Sequence, residues 1–185
     1  PKRVQNGTIY PYGRMRGTYT YPELRQIISD GGDIIKTHFA VEFKKTVSPF
    51  KDYINWAYNQ RMQAKENGND LDDMYYKLIM NSLYGKFAQT GEILVIANKK
   101  QYTITGKAKH VNVIWSAYVT AYGRLKLLSG LRACNEVFYC DTDSIFTRDI
   151  LPISNKIGEL KLENTYKKTQ FSGNKIYKVD SKSIA

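Results

Sequence analysis

Two stretches of helical composition, FKDYINWAYNQRMQAK at 50–65 and LDDMYYKLIMNSLYGKFAQ at 71–89, are separated only by ENGND at 66–70. So short a connection, made of turn-forming residues, leaves two helices one arrangement: side by side and antiparallel. Ser48-Pro49 opens the pair. Any fold proposed for this chain has to be built around that hairpin.

The flanks mix strands and helices without a regular alternation. Residues 8–21 (TIYPYGRMRGTYTY) read as short strands with turns. Pro22 suits the first position of a helix, ELRQIIS, closed by Gly31 and Gly32. Residues 33–45 are β-branched with partial alternation and predict a strand, and 92–114 predict strands around an exposed Lys-rich turn. WSAYVTAYGRLKLLSGLRA at 115–133 predicts a helix, EVFYC and SIFTR predict two short arms, and GELKLE and KIYKV in the tail have strand character. The expected class is α+β.

The chain of 185 residues is long enough for one or two domains with a core. Its 28 Lys+Arg against 17 Asp+Glu leave a formal charge of +11, which suits a polyanion such as nucleic acid; a solvated basic surface is an equally good reading of charge alone. Cys134 and Cys140 have neither metal-ligand spacing nor a disulfide framework, so a reducing compartment is the default. No apolar run has the length of a membrane span and no signal-peptide pattern opens the chain, so no membrane is expected. A start at proline and a stop within SKSIA lead to the expectation of a fragment. The 15 tyrosines, with many Lys, Asn and Ile, hint at an AT-rich genome.

The stretch FYCDTDSIF at 138–146 sets Asp141 and Asp143 between apolar arms. If Val137, Phe138, Ile145 and Phe146 bury the strands, the turn holds two carboxylates close together. Unit charges about 4 Å apart repel by roughly 4 kcal/mol at an effective dielectric near 20. A bound cation or a protonated partner relieves that. Mg²⁺ prefers carboxylate oxygens and substrate phosphates, so the pair suits a metal site open to a phosphate ligand. A bare Asp-x-Asp is more often a solvated turn.

A second pattern supports the first. On KLIMNSLYGKF at 77–87, Lys77, Asn81, Tyr84 and Gly85 fall within roughly a 100° arc of a helix. Tyr76, Ile79, Met80, Leu83 and Phe87 fall opposite and can anchor the helix. Lys77 can bind a phosphate as a point charge, Tyr84 can stack on a sugar or base, and Gly85 admits a base pair closely. Taken singly, each is better explained by an ordinary amphipathic helix.

Together these residues resemble a known family. Lys-x-x-x-Asn-Ser-x-Tyr-Gly at 77–85 and Tyr-x-Asp-Thr-Asp-Ser at 139–144 are similar, at every fixed position and in order, to two polymerase motifs of family B DNA polymerases. TAYGR at 120–124 and KIY at 175–177 resemble the template-binding and primer-binding motifs of its protein-primed branch, found in phages and linear mitochondrial plasmids. FKDYINWAY at 50–58 resembles that family's first finger helix.

The resemblance implies a palm, an antiparallel sheet with helices, carrying a fingers hairpin. The divisions would be a palm-like segment 1–47, fingers 48–90, a short insertion 91–114 and a palm with the metal-binding hairpin 115–185. It implies DNA-directed nucleotidyl transfer from dNTP to a primer 3′ hydroxyl, with two Mg²⁺ ions (Mn²⁺ as the alternative). Asp143 and Asp141 would be catalytic metal ligands, with Tyr139, Thr142 and Ser144 shaping the turn. Lys77 and Arg61 would contact the triphosphate, with Lys65 the alternative to Arg61. Asn81, Tyr84 and Gly85 would line the nascent base pair. Thr120, Gly123 and Arg124 would hold template, with Thr120 and Arg124 one helical turn apart. Lys175 and Tyr177, on one side of a strand, would steady the primer. Partners would be primer-template DNA, dNTP and, as one option, a terminal protein as primer. The setting would be a mitochondrial plasmid or a virus in host cytoplasm.

The departures are specific. No Asp-x-x-Ser-Leu-Tyr-Pro string occurs, so the family's third carboxylate is missing here. Neither an exonuclease segment nor a thumb-sized stretch after Tyr177 is legible, and the segment that serves strand displacement in this branch is short. The alternative is a truncated, inactive remnant that binds DNA or nucleotide. Reverse transcriptases use adjacent carboxylates, whereas Thr142 separates these; a Mg²⁺-dependent nuclease or phosphatase leaves the hairpin unexplained.

Overall fold

The computed structural model describes residues 2–4, 7–9, 12–97, 100–107, 111–180 and 182–184. Two compact units divide the chain, Pro1–Lys36 and Thr37–Ala185.

In the first unit, β1 (Lys2–Val4) and β2 (Gly7–Ile9) pair antiparallel. Residues 10 and 11 lie outside the described residues, and 12–20 form no regular element, so among the described residues of the stretch expected as strands at 8–21 only Thr8 and Ile9 are strand. Helix α1 (Tyr21–Ser29) carries Pro22 in its first turn, where a missing N–H costs nothing. The backbone N–H and the hydroxyl of Thr20 both donate to Glu23 Oε2, at 3.0 and 2.9 Å, the carboxylate half of a capping box. Gly31 closes the helix at φ +83°, in the left-handed region that favours glycine.

In the second unit, α2 (Lys51–Glu66) and α3 (Asp70–Phe87) form the expected hairpin. The turn runs through 67–69, with Gly68 at φ +65°. Ala57 and Ala64, two turns apart on one face of α2, are buried, and their small side chains let α3 approach closely. Asn69 caps α3 by accepting the Asp72 N–H at 3.1 Å, and Asp70, Asp72 and Asp73 place negative charge where the helix dipole favours it. The apolar stripe lies as expected: Tyr76, Ile79, Met80 and Leu83 are half-buried and Phe87 is buried.

Strands β3 (Thr90–Ala97) and β4 (Lys100–Lys107) pair antiparallel from Thr90↔Lys107 to Ala97↔Lys100. The turn between them, at 98–99, lies outside the described residues. Helix α4 (Val113–Arg132) starts earlier than its composition predicts, because the Asn112 side chain accepts the Trp115 N–H at 3.1 Å and caps it. The end of the strand stretch expected at 92–114 is therefore helix.

Helix α4 is a strut. Near its N-terminus Trp115 packs on Phe50 and Phe87, with ring centroids 5.3 and 5.2 Å away, at the base of the helical hairpin. Near its C-terminus Gly130 lies under Ile145 and Leu160, so close that a Cβ there would stand 2.7 Å from Ile145 Cδ1. Along the helix axis those two anchor points are about 22 Å apart.

Beyond α4, β5 (Val137–Cys140) and β6 (Ile145–Thr147) form a hairpin. Strands β7 (Thr169–Gly173), β8 (Ile176–Val179) and β9 (Lys182–Ile184) form a three-stranded antiparallel sheet. Every described pairing is antiparallel and no βαβ unit joins parallel strands among the described residues, so the class is α+β, as expected. The stretches 33–45 and 158–163 are not strands. β-propensity reports fitness for a pleated, half-buried surface, and among the described residues no strand pairs with either stretch.

Candidate active site

The two aspartates occupy the turn at 141–144, closed by the Asp141 N–H donating to the Ser144 carbonyl at 3.0 Å. The Thr142 N–H and hydroxyl donate to Asp141 Oδ1, at 2.7 and 3.0 Å. These bonds, the backbone one foremost, with Lys175 adding its charge, hold the Asp141 carboxyl below the usual carboxylate range. Asp141 is half-buried and Asp143 is exposed.

The arms differ from expectation. A bulge between Val137 and Tyr139 resets the alternation, so Tyr139 faces inward while Val137 and Phe138 are exposed. Phe138 lies outside under Arg148, whose guanidinium carbon is 5.1 Å from the ring centre. Tyr139 and Phe146 interlock with Phe171 and Tyr177 of the neighbouring sheet: Tyr139 stacks on Phe171 at 5.1 Å, and Phe146 meets Tyr177 edge-on at 5.1 Å.

That aromatic cluster delivers Lys175 to the aspartate turn. Lys175 sits in the turn between β7 and β8 at φ +61°, not on the strand with Tyr177, which corrects the reading that both lie on one strand side. Its N–H donates to the Tyr139 hydroxyl at 2.9 Å, and that hydroxyl donates to Asn174 Oδ1 at 3.4 Å. Lys175 Nζ then stands 3.8 Å from Asp141 Oδ2.

On α3, Lys77, Asn81 and Gly85 are exposed along one face, and a Cβ on Gly85 would meet nothing within 4 Å. The Tyr84 side chain lies outside the described residues. No hydrogen bond or ion pair between described residues joins this face to the aspartate turn; α4 connects the two by packing on α3 and on β6. Arg61 of α2 donates its Nε to Asp73 Oδ1 of α3 at 2.6 Å, and Lys65 Nζ is 4.0 Å from the same oxygen. The Arg61 hydrogen bond, then the charges of Arg61, Lys65 and Lys77, hold the Asp73 carboxyl below the usual range. Arg61 and its alternative Lys65 therefore both meet the carboxylate that lies one helical turn before Lys77.

On α4, the Thr120 hydroxyl donates to the Ser116 and Ala117 carbonyls at 3.0 and 2.9 Å, so its proton is engaged within the helix. Gly123 and Arg124 are exposed. Sequence reasoning missed two residues of weight. The sequence motif gives Tyr139 only a part in shaping the turn; its inward place in the aromatic cluster depends on the bulge between Val137 and Tyr139, which no local pattern announces. Asp73 passed unremarked, though it precedes Lys77 by one helical turn.

Among the described residues no three of His, Cys, Asp and Glu gather as metal ligands. Asp141 and Asp143 nonetheless offer hard oxygen donors at an open turn, a set that fits a divalent cation completed by other oxygens. Among the described residues no helix is long and apolar enough to cross a membrane.

Comparison with known proteins agrees with this geometry. The family model described as DNA polymerase type B, organellar and viral, matches residues 1–169. The DNA-directed DNA polymerase of Enterobacteria phage PRD1 is 31% identical over 171 residues, 78% of this chain and 30% of that protein. The DNA polymerase of Bacillus phage phi29 is 28% identical over 156 residues, 74% of this chain and 26% of that protein. A probable DNA polymerase of Neurospora intermedia is 27% identical across 92% of this chain and 21% of its own length. The chain thus spans less than a third of each of these relatives. The structure of phi29 DNA polymerase with primer-template DNA superposes with a TM-score of 0.56 at 26% identity, over 77% of this chain and 29% of that one. With the family model matching nearly the whole chain, the chain belongs to the organellar and viral type B family of DNA polymerases.

Proposed function

We propose that this chain supplies the fingers and part of the palm of a DNA-directed DNA polymerase that joins dNTPs to a primer 3′ hydroxyl. The observation that carries the reading is the junction of Lys175 and Tyr177 with the aspartate turn: two sequence-distant stretches of polymerase type meet through one aromatic cluster. In this reading 48–90 is the fingers, 115–185 the palm with its metal hairpin, 91–114 an insertion and 1–47 palm-like.

Asp143 and Asp141 would hold divalent cations, Mg²⁺ in preference, and a pair of such ions when bound favours the attacking hydroxyl and neutralises the triphosphate. Lys77 and Arg61 bind the triphosphate electrostatically. Asn81, Tyr84 and Gly85 accept the nascent base pair, where Gly85 leaves open space. Gly123 and Arg124, on the exposed side of α4, contact template, and Thr120 supports them from within the helix. Lys175 and Tyr177 steady the primer end. Primer-template DNA is the partner, with a terminal protein as one option for the primer. The replicon is a virus or a linear mitochondrial plasmid.

Primer extension by the complete polypeptide tests this. Asp143→Asn abolishes incorporation while primer-template binding remains; retained incorporation refutes the metal role. A wild-type protein that binds primer-template but never extends it establishes the alternative, an inactive nucleic-acid-binding remnant.

A further inference from the structure

Along α3, Asp73, Lys77, Asn81 and Gly85 recur every fourth residue and so form one row on the helix surface. Asp73 begins that row, toward the tip of the hairpin. It is also the point where the two helices exchange charge: Arg61 Nε lies 2.6 Å from its Oδ1 and Lys65 Nζ lies 4.0 Å from the same atom. Two cations of α2 therefore share a single carboxylate of α3, and Lys77 stands one helical turn further along the same row. Nothing in the polymerase reading assigns that carboxylate a task.

We propose that Asp73 is a positioning residue for the triphosphate of the incoming nucleotide: it fixes Arg61 against α3 so that Arg61, Lys65 and Lys77 present one anion-binding seat. The inference rests on the polymerase reading of the same site and deepens it.

The chemistry is that of the guanidinium. Arginine has five N–H donors in a rigid plane. A carboxylate at Nε orients the plane and leaves the two terminal nitrogens as a fork, the edge that grips phosphate oxygens. Among the described residues, Nε is the Arg61 atom so engaged. Lys65 Nζ, at 4.0 Å, is beyond a normal hydrogen bond from Asp73, and its side chain is 40% exposed, so it remains open to a second anion. Three unscreened cations would also repel one another, and the hairpin would have to resist that repulsion while empty. One carboxylate among them lowers that cost and keeps a net positive seat for a polyanion.

A purely structural staple between α2 and α3 would show the same ion pair, and nucleotide kinetics separate the two. In the complete polypeptide, Asp73→Ala raises the dNTP KM in primer extension by about tenfold, the worth of one charge-assisted hydrogen bond. The kcat stays within about twofold, since chemistry at the aspartate turn is untouched. Inhibition by inorganic triphosphate with Mg²⁺ weakens in parallel, and Asp73→Glu restores part of the affinity. Adding Asp73→Ala to Arg61→Ala raises KM no further, because both act through one group. An unchanged or lower KM in an active, folded Asp73→Ala protein overturns the proposal, as does a fully additive double variant. If Asp73→Ala does not fold, Asp73→Asn, equal in shape and without the charge, decides in the same assay. Failure of the wild type to extend primers at all sinks the polymerase reading instead.

Discussion

Lys175 Nζ stands 3.8 Å from Asp141 Oδ2, and its backbone N–H is held by the hydroxyl of Tyr139, two residues before that aspartate. The two turns are thus cross-linked at both ends of the lysine. The left-handed backbone at Lys175 is unfavourable for a non-glycine residue, so the bond to Tyr139 is part of what holds the turn.

Removing only the Tyr139 hydroxyl tests that link. Tyr139→Phe keeps the stack on Phe171 and deletes the acceptor for the Lys175 N–H. Amide exchange at Lys175 should accelerate by about fivefold, matching a hydrogen bond worth about 1 kcal/mol, while exchange in α2 and α3 stays unchanged. Unaltered exchange at Lys175 would show that the ring contacts alone fix the turn.

Two glycines of α4 should respond oppositely to alanine. A Cβ at Gly123 meets nothing within 4 Å, so Gly123→Ala raises stability by about 1 kcal/mol through helix propensity. It should also weaken template binding, because it crowds a surface assigned to DNA. At Gly130 the Cβ would lie 2.7 Å from Ile145 Cδ1 and 3.1 Å from Leu160 Cδ1. Overpacking costs about 1–3 kcal/mol, which cancels or exceeds the propensity gain. Thermal melts should rank Gly123→Ala above wild type and Gly130→Ala no higher than wild type; equal gains would contradict the packing of α4 on β6.

Asp149 carries an acid-sensitive clamp. It accepts the Glu136 N–H at 3.0 Å, the Asn135 side-chain amide at 3.1 Å and the Asn135 N–H at 2.7 Å. The Glu136 bond foremost, then those from Asn135, lower its pKa from the ordinary 3.8. A depressed folded value means the unfolded chain binds the proton more tightly. The clamp's contribution is therefore complete above the ordinary value and disappears as pH falls through the lowered one. Melting temperatures of wild type and Asp149→Asn should differ at neutral pH and converge in acid. A constant difference across that range would exclude the charge as the source.

Trp115 ties the helical hairpin to the strut. Trp115→Ala removes the edge contacts with Phe50 and Phe87. The loss should be about 3 kcal/mol, the lower end for a large aromatic because the ring is half-buried. Denaturant unfolding measures the total. Hydrogen exchange should rise in α2 and α3 and not in β7 and β8; a uniform rise would mean that α4 is not the connecting element.

The helical hairpin was legible because its signals are local. Turn residues, an Asn cap, acidic first-turn residues and an apolar stripe all act within a few positions of one another. The aspartate turn was legible for the same reason, and so was the exposed row of Lys77, Asn81 and Gly85. The strands expected at 33–45 and 158–163 did not form, because a strand exists only with a neighbour and composition does not name one. The inward face of β5 was misjudged for a related reason: one bulge shifts the register, and with it the side each residue faces.

Local order, then, came from the chain itself: which segments are helical, where they stop, and which side chains share a helix face. Tertiary structure alone decided who meets whom. It placed Lys175 beside Asp141, set Arg61 against Asp73, and separated the hairpin from the aspartate turn by the length of α4. Such pairings depend on closing long loops around a packed cluster, and that free energy resides in contacts between distant segments, where a local pattern carries no record of it.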